Sequence, residues 1–100
     1  MINHVVLFKL KEFGSDEEKA EVLNQFENKL LELKNHIAEL KYIEVGKNYQ
    51  LQSGSYDLCL ISHFETIADL DRYRVHPEHK KVIDFVNEIA FNRAAVDFEF

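Results

Sequence analysis

Residues 2–11 follow a pattern that suits a strand with two apolar faces. Ile2, His4, Val6, Phe8 and Leu10 fall on one face; Asn3, Val5, Leu7, Lys9 and Lys11 fall on the other. β-branched and large apolar residues favour the extended conformation. The centre is apolar on both sides, so neither face should simply meet water. Phe13-Gly14 breaks the run. Ser15 then precedes Glu18 by three positions, the spacing of a capping box. Ala20, Leu23, Phe26, Leu30, Leu33, Ile37 and Leu40 recur at gaps of three and four, one stripe of an amphipathic helix. The pattern predicts a regular helix over about 16–35, with Asn35-His36 near its end.

Tyr42 to Lys47 reads as a second strand. Its polar residues and Gly46 suit an edge position or a bulge. Residues 52–55, Gln-Ser-Gly-Ser, read as a loop. Residues 56–64 read as a third strand, with Leu58, Leu60, Ser62 and Phe64 on one face and Cys59, Ile61 and His63 on the other. Thr66 is a candidate N-cap, with Asp69 three residues on. Ile67, Leu70 and Tyr73 continue a helical stripe. Pro77 disfavours helix at His76 but suits the first position of a new helix, with His76 as its cap. Val82, Ile83, Phe85, Val86 and Ile89 supply that helix with an apolar side. Residues 91–100 read as a last strand. Ala94, Val96, Phe98 and Phe100 share one face; Arg93, Ala95, Asp97 and Glu99 share the other.

The order is β-α-β-β-α-β, the split βαβ or ferredoxin-like arrangement. The fold class is therefore α+β, with helices on one face of a four-stranded antiparallel sheet. The second face is apolar in the first, third and last strands and needs a cover. A homodimer through that sheet face supplies one, and apolar burial at ~25 cal/mol per Å² would drive it.

Composition narrows the partners. A chain of 100 residues, 46% of them apolar, suits one domain spanning 1–100. The formal net charge of −6 argues against nucleic acid, which needs clustered Lys and Arg. No apolar run approaches the ~20 residues of a membrane span, so no membrane partner is expected. Met1-Ile2-Asn3-His4-Val5 shows no basic region before an apolar core, the mark of a signal peptide. Cys59 is alone, so no internal disulfide can form. A cytoplasmic location is the expectation.

Candidate chemistry concentrates in Tyr73-Arg74-Val75-His76-Pro77-Glu78-His79, which brings a phenol and two imidazoles within seven residues. His79 falls in the first turn of the last helix, where the helix dipole disfavours its protonated form. A neutral imidazole near pH 7 can take a proton, and a nearby phenol can polarise a carbonyl. His4 faces inward beside Val6 and Phe8 and is the distant partner expected. The bland alternative is equally definite: His76 caps a helix, His79 bonds to backbone, and Tyr73 packs with its hydroxyl exposed. On the inward face of the last strand, Arg93 and Asp97 are expected to pair with each other; otherwise Arg93 holds an acidic ligand. His76 and His79 are three apart, but one is a cap, and a firm zinc site needs three or four ligands, so no metal is expected. Cys59 reads as a small buried hydrophobe with nothing near to lower its pKa. His36 reads as a solvated helix end and His63 as a strand residue near the dimer face.

The opening "HVVLFKLK", the "VGKN" after the first helix, "HFET" closing the third strand, "YRVHPEH" and the late "VDFEF" resemble the stress-responsive dimeric α/β-barrel (Dabb) domain family. The resemblance covers essentially the whole chain, in register with every element above. It implies a ferredoxin-like fold whose two sheets form a barrel across a homodimer. A plant branch of the family, resembling olivetolic acid cyclase, cyclises polyketides without a cofactor. There a histidine of a His-Pro-x-His motif acts as base, with a tyrosine and a first-strand histidine. Those roles fall on His79, Tyr73 and His4. That branch keeps its pocket apolar where this chain has Arg93 and Asp97. The antibiotic-biosynthesis monooxygenases share the dimeric barrel, but the His-Pro-x-His motif favours Dabb. The expected function is a homodimer with a pocket between helices and sheet, lined by Val6, Phe8, Phe26, Leu60 and Arg93. It would bind a small hydrophobic or carbonyl-containing organic ligand and need no cofactor. One alternative is a cofactor-independent cyclase or lyase-type enzyme using His79 as general base with Tyr73 and His4. The other is a structural or stress-related interaction protein without catalysis.

Overall fold

The structure, a computed structural model, describes residues 1–49 and 54–100. Gln52 and Ser53 of the predicted loop lie outside the described residues; Gly54 lies in a turn at φ +83°, a conformation open to glycine. The elements are β1 (Ile2–Leu10), α1 (Asp16–Glu32), a 3₁₀ turn (Leu33–Asn35), β2 (Tyr42–Lys47), β3 (Leu58–Phe64), α2 (Ile67–Val75), α3 (Pro77–Ile89) and β4 (Ala90–Glu99). They form the ferredoxin-like order with a four-stranded antiparallel sheet, β2-β3-β1-β4. The second helical element is two helices, because Pro77 starts α3 with His76 held extended at ψ 137°.

Local chemistry sets the boundaries. The Ser15 hydroxyl accepts from Glu18 N at 3.1 Å, and Glu18 Oε2 accepts from Gly14 N at 3.2 Å, one residue earlier than a standard box. The Thr66 hydroxyl caps α2 by accepting from Asp69 N at 3.1 Å. Helix α1 stops at Glu32, before the predicted 35, where it tightens into the 3₁₀ turn. Ile37 and Leu40, which extend the apolar stripe, reach the core from the turns beyond it. Strand β3 begins at Leu58 rather than 56, because Asp57 is spent as a brace: its backbone N donates to Phe8 O at 2.8 Å. Its buried carboxylate accepts from Leu10 N at 2.7 Å and pairs with Lys19 at 2.8 Å. β2 is an edge strand, as its polar pattern predicts. Its register with β3 is unbroken at Gly46, and the irregularity falls between Lys9 and Leu10 against β4.

Strand alternation decides which side chains meet. Ile2, His4, Val6, Phe8 and Leu10 point to the helices and are all buried, as are Leu58, Leu60, Ser62 and Phe64. Phe26, Leu30, Tyr73, Val82 and Val86 close on them from α1, α2 and α3. The other face carries Leu7, Ile61, His63, Val96 and Phe98, with no element of the described residues over it. Val96 is 63% exposed and Phe98 45%. Cys59 lies on this face and is half-buried, a correction to the fully buried position expected of it. Burial still raises its thiol pKa.

Candidate active site

The antiparallel pairing of β1 with β4 sets His4 opposite Asp97, Val6 opposite Ala95 and Phe8 opposite Arg93. These side chains share the helix-facing side of the sheet. His4 Nδ1 bonds to Asp97 Oδ1, and Arg74 from the end of α2 pairs with Asp97 Oδ2 at 2.6 Å. The expected Arg93–Asp97 pair is therefore corrected: both oxygens of Asp97 are taken. Ser62 on β3 donates its hydroxyl to His4 O at 3.1 Å, so the strand around His4 is held from both sides.

Tyr73 stands over His4 from α2. Its ring centroid lies 6.2 Å from that of His4, 4.9 Å from Phe64 and 4.3 Å from His79. Tyr73 is 0% exposed and its hydroxyl has no hydrogen-bond partner among the described residues. An exposed hydroxyl was half of the bland expectation, and the structure overturns it. The other half stands. His76 Nδ1 accepts from Glu78 N at 3.1 Å, capping α3, and His79 Nδ1 bonds to the Arg74 carbonyl at 3.1 Å.

The two bonds to Nδ1 fix the tautomers. A carbonyl and a carboxylate only accept, so Nδ1 of His79 and of His4 must each carry the proton. Nε2 is then the unprotonated nitrogen of each neutral ring. Burial is the main cause lowering both pKa values; for His4 the bond to Asp97 opposes it, and for His79 the bond to the Arg74 carbonyl does. Burial thus acts on His79 in the same direction as the helix dipole argued from sequence. Burial raises Tyr73 far above the ordinary phenol value, so its hydroxyl remains a donor at neutral pH.

These groups meet on the wall of one cavity of about 260 Å³ between the sheet and α2–α3. His4, Tyr73 and His79 line it, together with Val6, Phe8, Leu60 and Arg93. Phe26 does not. It is fully buried behind Phe8, at 4.9 Å between ring centroids, because a helical stripe reports the inward side and not the depth. Sequence reasoning missed Arg74 and Asn87 on the wall and the bonding of Asp97 to His4. The last was within reach: aligning the first and last strands antiparallel from their ends places Asp97 beside His4. Among the described residues no group of three or more His, Cys, Asp or Glu could hold a metal ion, and no helix is long and apolar enough to cross a membrane.

The geometry has relatives. The family model for the stress responsive A/B barrel domain (Dabb) matches residues 2–100. A stress-response A/B barrel domain-containing protein, DABB1 of Arabidopsis thaliana, is 29% identical over 98% of this chain, which spans 46% of that protein's length. A dimeric protein of unknown function and ferredoxin-like fold from Bacteroides fragilis is 36% identical, with a TM-score of 0.86 over 99% of this chain and 95% of that one. A hydroxynitrile lyase from Passiflora edulis shares the fold at a TM-score of 0.81 and 15% identity, over 97% of this chain and 90% of the other.

Proposed function

The chain belongs to the stress responsive A/B barrel domain (Dabb) family, and from that premise we propose a homodimer that binds a small hydrophobic or carbonyl-containing ligand beside His79. The observation that carries the ligand is the Tyr73 hydroxyl. Tyr73 lines the cavity, and its hydroxyl is buried without a partner among the described residues. Burying a hydroxyl without a partner costs about 1–3 kcal/mol, and a ligand carbonyl returns the missing bond. The dimer places two sheets together through Leu7, Val96 and Phe98, which this chain leaves uncovered. The Bacteroides fragilis relative, itself dimeric, supports the assembly.

A second reading adds turnover without a cofactor. Its support is the committed Nδ1 of His79, which leaves Nε2 as a base that burial keeps unprotonated. His79 Nε2 takes a proton from a carbon beside the ligand carbonyl. The C–H electron pair moves into the enolate, and its oxygen accepts from the Tyr73 hydroxyl. The carbon then adds to a second carbonyl of the same molecule, and His79 returns the proton to the new alkoxide. Asp97 holds the tautomer of His4 at the other end. One fold hosts many activities, so this reading rests on the site and not on the lyase that shares the architecture.

Ethyl phenylpyruvate, a neutral ketone, tests both. Saturable movement of the His79, His4 and Tyr73 ring resonances is the binding result expected. No movement, or movement confined to other residues, overturns the pocket. Turnover predicts that deuterium exchange at the ketone's methylene is faster with the native protein than with His79→Ala; equal rates remove the second reading and leave the first.

A further inference from the structure

Arg93 is the group that the site leaves unused. It faces the helices opposite Phe8 and lines the cavity beside Leu60 and Val86. Asp97 pairs with His4 and Arg74 instead. Arg74 is itself shared between Asp97 and Asp71. Among the described residues Arg93 makes no ion pair. With Arg74 matched by Asp97 and Asp71, Arg93 is the guanidinium on the cavity wall that has no carboxylate partner among the described residues, in a chain whose net charge is −6. Ala95, the small residue between Arg93 and Asp97 on this face, separates them by about 13 Å of strand.

We propose that the pocket ligand is an organic monocarboxylate, its carboxylate held by the Arg93 fork and its ketone presented to Tyr73 and His79. The proposal rests on the pocket reading above. Guanidinium is planar and meets a carboxylate with two parallel bonds. One unpaired positive charge matches one negative charge. A phosphate would want more: a second uncommitted cation or a nest of backbone N–H groups, and the other guanidinium on the wall, Arg74, is paired with Asp97 and Asp71. The charge of Arg93 also helps hold His4 and His79 neutral, so the guanidinium lies close enough to sense both rings. A bound carboxylate would offset that influence and raise both pKa values.

Phenylpyruvate and ethyl phenylpyruvate share one carbon skeleton and ketone and differ in the charge. Titrated into the native protein at low salt, the acid is expected to bind about tenfold to a hundredfold more tightly than the ester. Arg93→Ala weakens the acid far more than the ester, so that the advantage is lost; Arg93→Lys retains part of it. Arg93 is exposed at the β4 edge, so both variants should keep the native melting temperature and sedimentation. Equal binding of acid and ester, with Arg93→Ala changing neither, overturns the carboxylate and leaves the pocket standing. Failure of both probes to move the His79, His4 and Tyr73 resonances overturns the pocket and this inference together. An Arg93→Ala protein that sediments as a monomer also overturns it, by placing Arg93 on the partner chain.

Discussion

The two faces of β1 began alike and ended differently. Ile2, Val6, Phe8 and Leu10 are buried by the chain's own helices, while Val5 and Leu7, on the opposite side, are left half-covered or exposed. Among the described residues each side keeps one buried side-chain polar atom without a partner: the Tyr73 hydroxyl on the helix side, Asn3 Oδ1 on the outer side. The helix side is otherwise well satisfied. His4 has Asp97, Ser62 has the His4 carbonyl, and Asp57 has Leu10 N and Lys19. The outer side is an aromatic row, with His63 at 4.7 Å from Tyr42 and 4.6 Å from Phe100 between ring centroids. Alternation within one strand therefore serves two solvents. One face is finished by the chain except for a cavity, and the other is left uncovered by the described residues.

The sharpest test separates core from wall. Phe26 is fully buried against Phe8 and Phe85. Phe26→Ala should cost about 3–5 kcal/mol, and each kcal/mol lowers the melting temperature of a domain this size by about 4–8 °C. Thermal unfolding checks it. A loss under about 1 kcal/mol would return Phe26 to the cavity wall, where truncation merely enlarges space. The outer face should respond in association. Phe98→Asp removes an aromatic contact worth about 1.5–3 kcal/mol and brings an unpaired charge to the face. Sedimentation at micromolar concentration should shift from two chains toward one, while the helix-side cavity and its His79 resonance stay unchanged. A native protein that sediments as one chain would remove the outer-face half of the comparison.

Much of this contrast was legible before any coordinates. Period-two alternation assigned the central residues of the first, third and last strands to their faces, and Pro77 marked the helix junction. The apolar second face of the first and third strands called for a partner. What alternation cannot report is register and depth. Asp97 and Arg93 share a face in either case, and only the pairing of Ile2 with Glu99 puts Asp97 against His4 and Arg93 against Phe8. Depth misled at Phe26, and at Tyr73, whose hydroxyl turned inward where an exposed one was the simpler expectation. The Asp57 brace was hidden too, because its partners lie in α1 and β1, far off in the chain.

Acid should weaken the helix side first. His4 and His79 have folded-state pKa values below the ordinary 6.5. The unfolded chain therefore binds more protons in that window, and their contribution to stability is full above about pH 6.5 and is lost as pH falls through the folded values. Urea unfolding should show stability falling below pH 6.5 and level above it on this account, with a shallower slope in His79→Gln. Asp97→Asn gives the finer reading. The carboxylate raises His4, so its loss should move the His4 titration to still lower pH and disturb His79 less, which ring resonances followed against pH would report. A His4 titration that rises instead would mean that its partner is not Asp97.

The smallest effect on stability is expected at the residue that matters most to the pocket. Tyr73→Phe keeps the ring packed on Phe64 and His79 and removes only the hydroxyl. Where a buried hydroxyl has a partner, its removal is destabilising; where it has none, removal relieves a desolvation cost of about 1–3 kcal/mol. Tyr73→Phe should therefore be neutral or more stable by up to about 1 kcal/mol in thermal unfolding. The same variant should bind ethyl phenylpyruvate more weakly, by about fivefold to tenfold, since one neutral hydrogen bond of about 1 kcal/mol is lost. Stability and binding then move in opposite directions at one atom. A purely packing tyrosine would leave binding untouched, and a tyrosine already satisfied within the fold would make the variant less stable. Only a hydroxyl held in readiness for a ligand moves both in the stated sense.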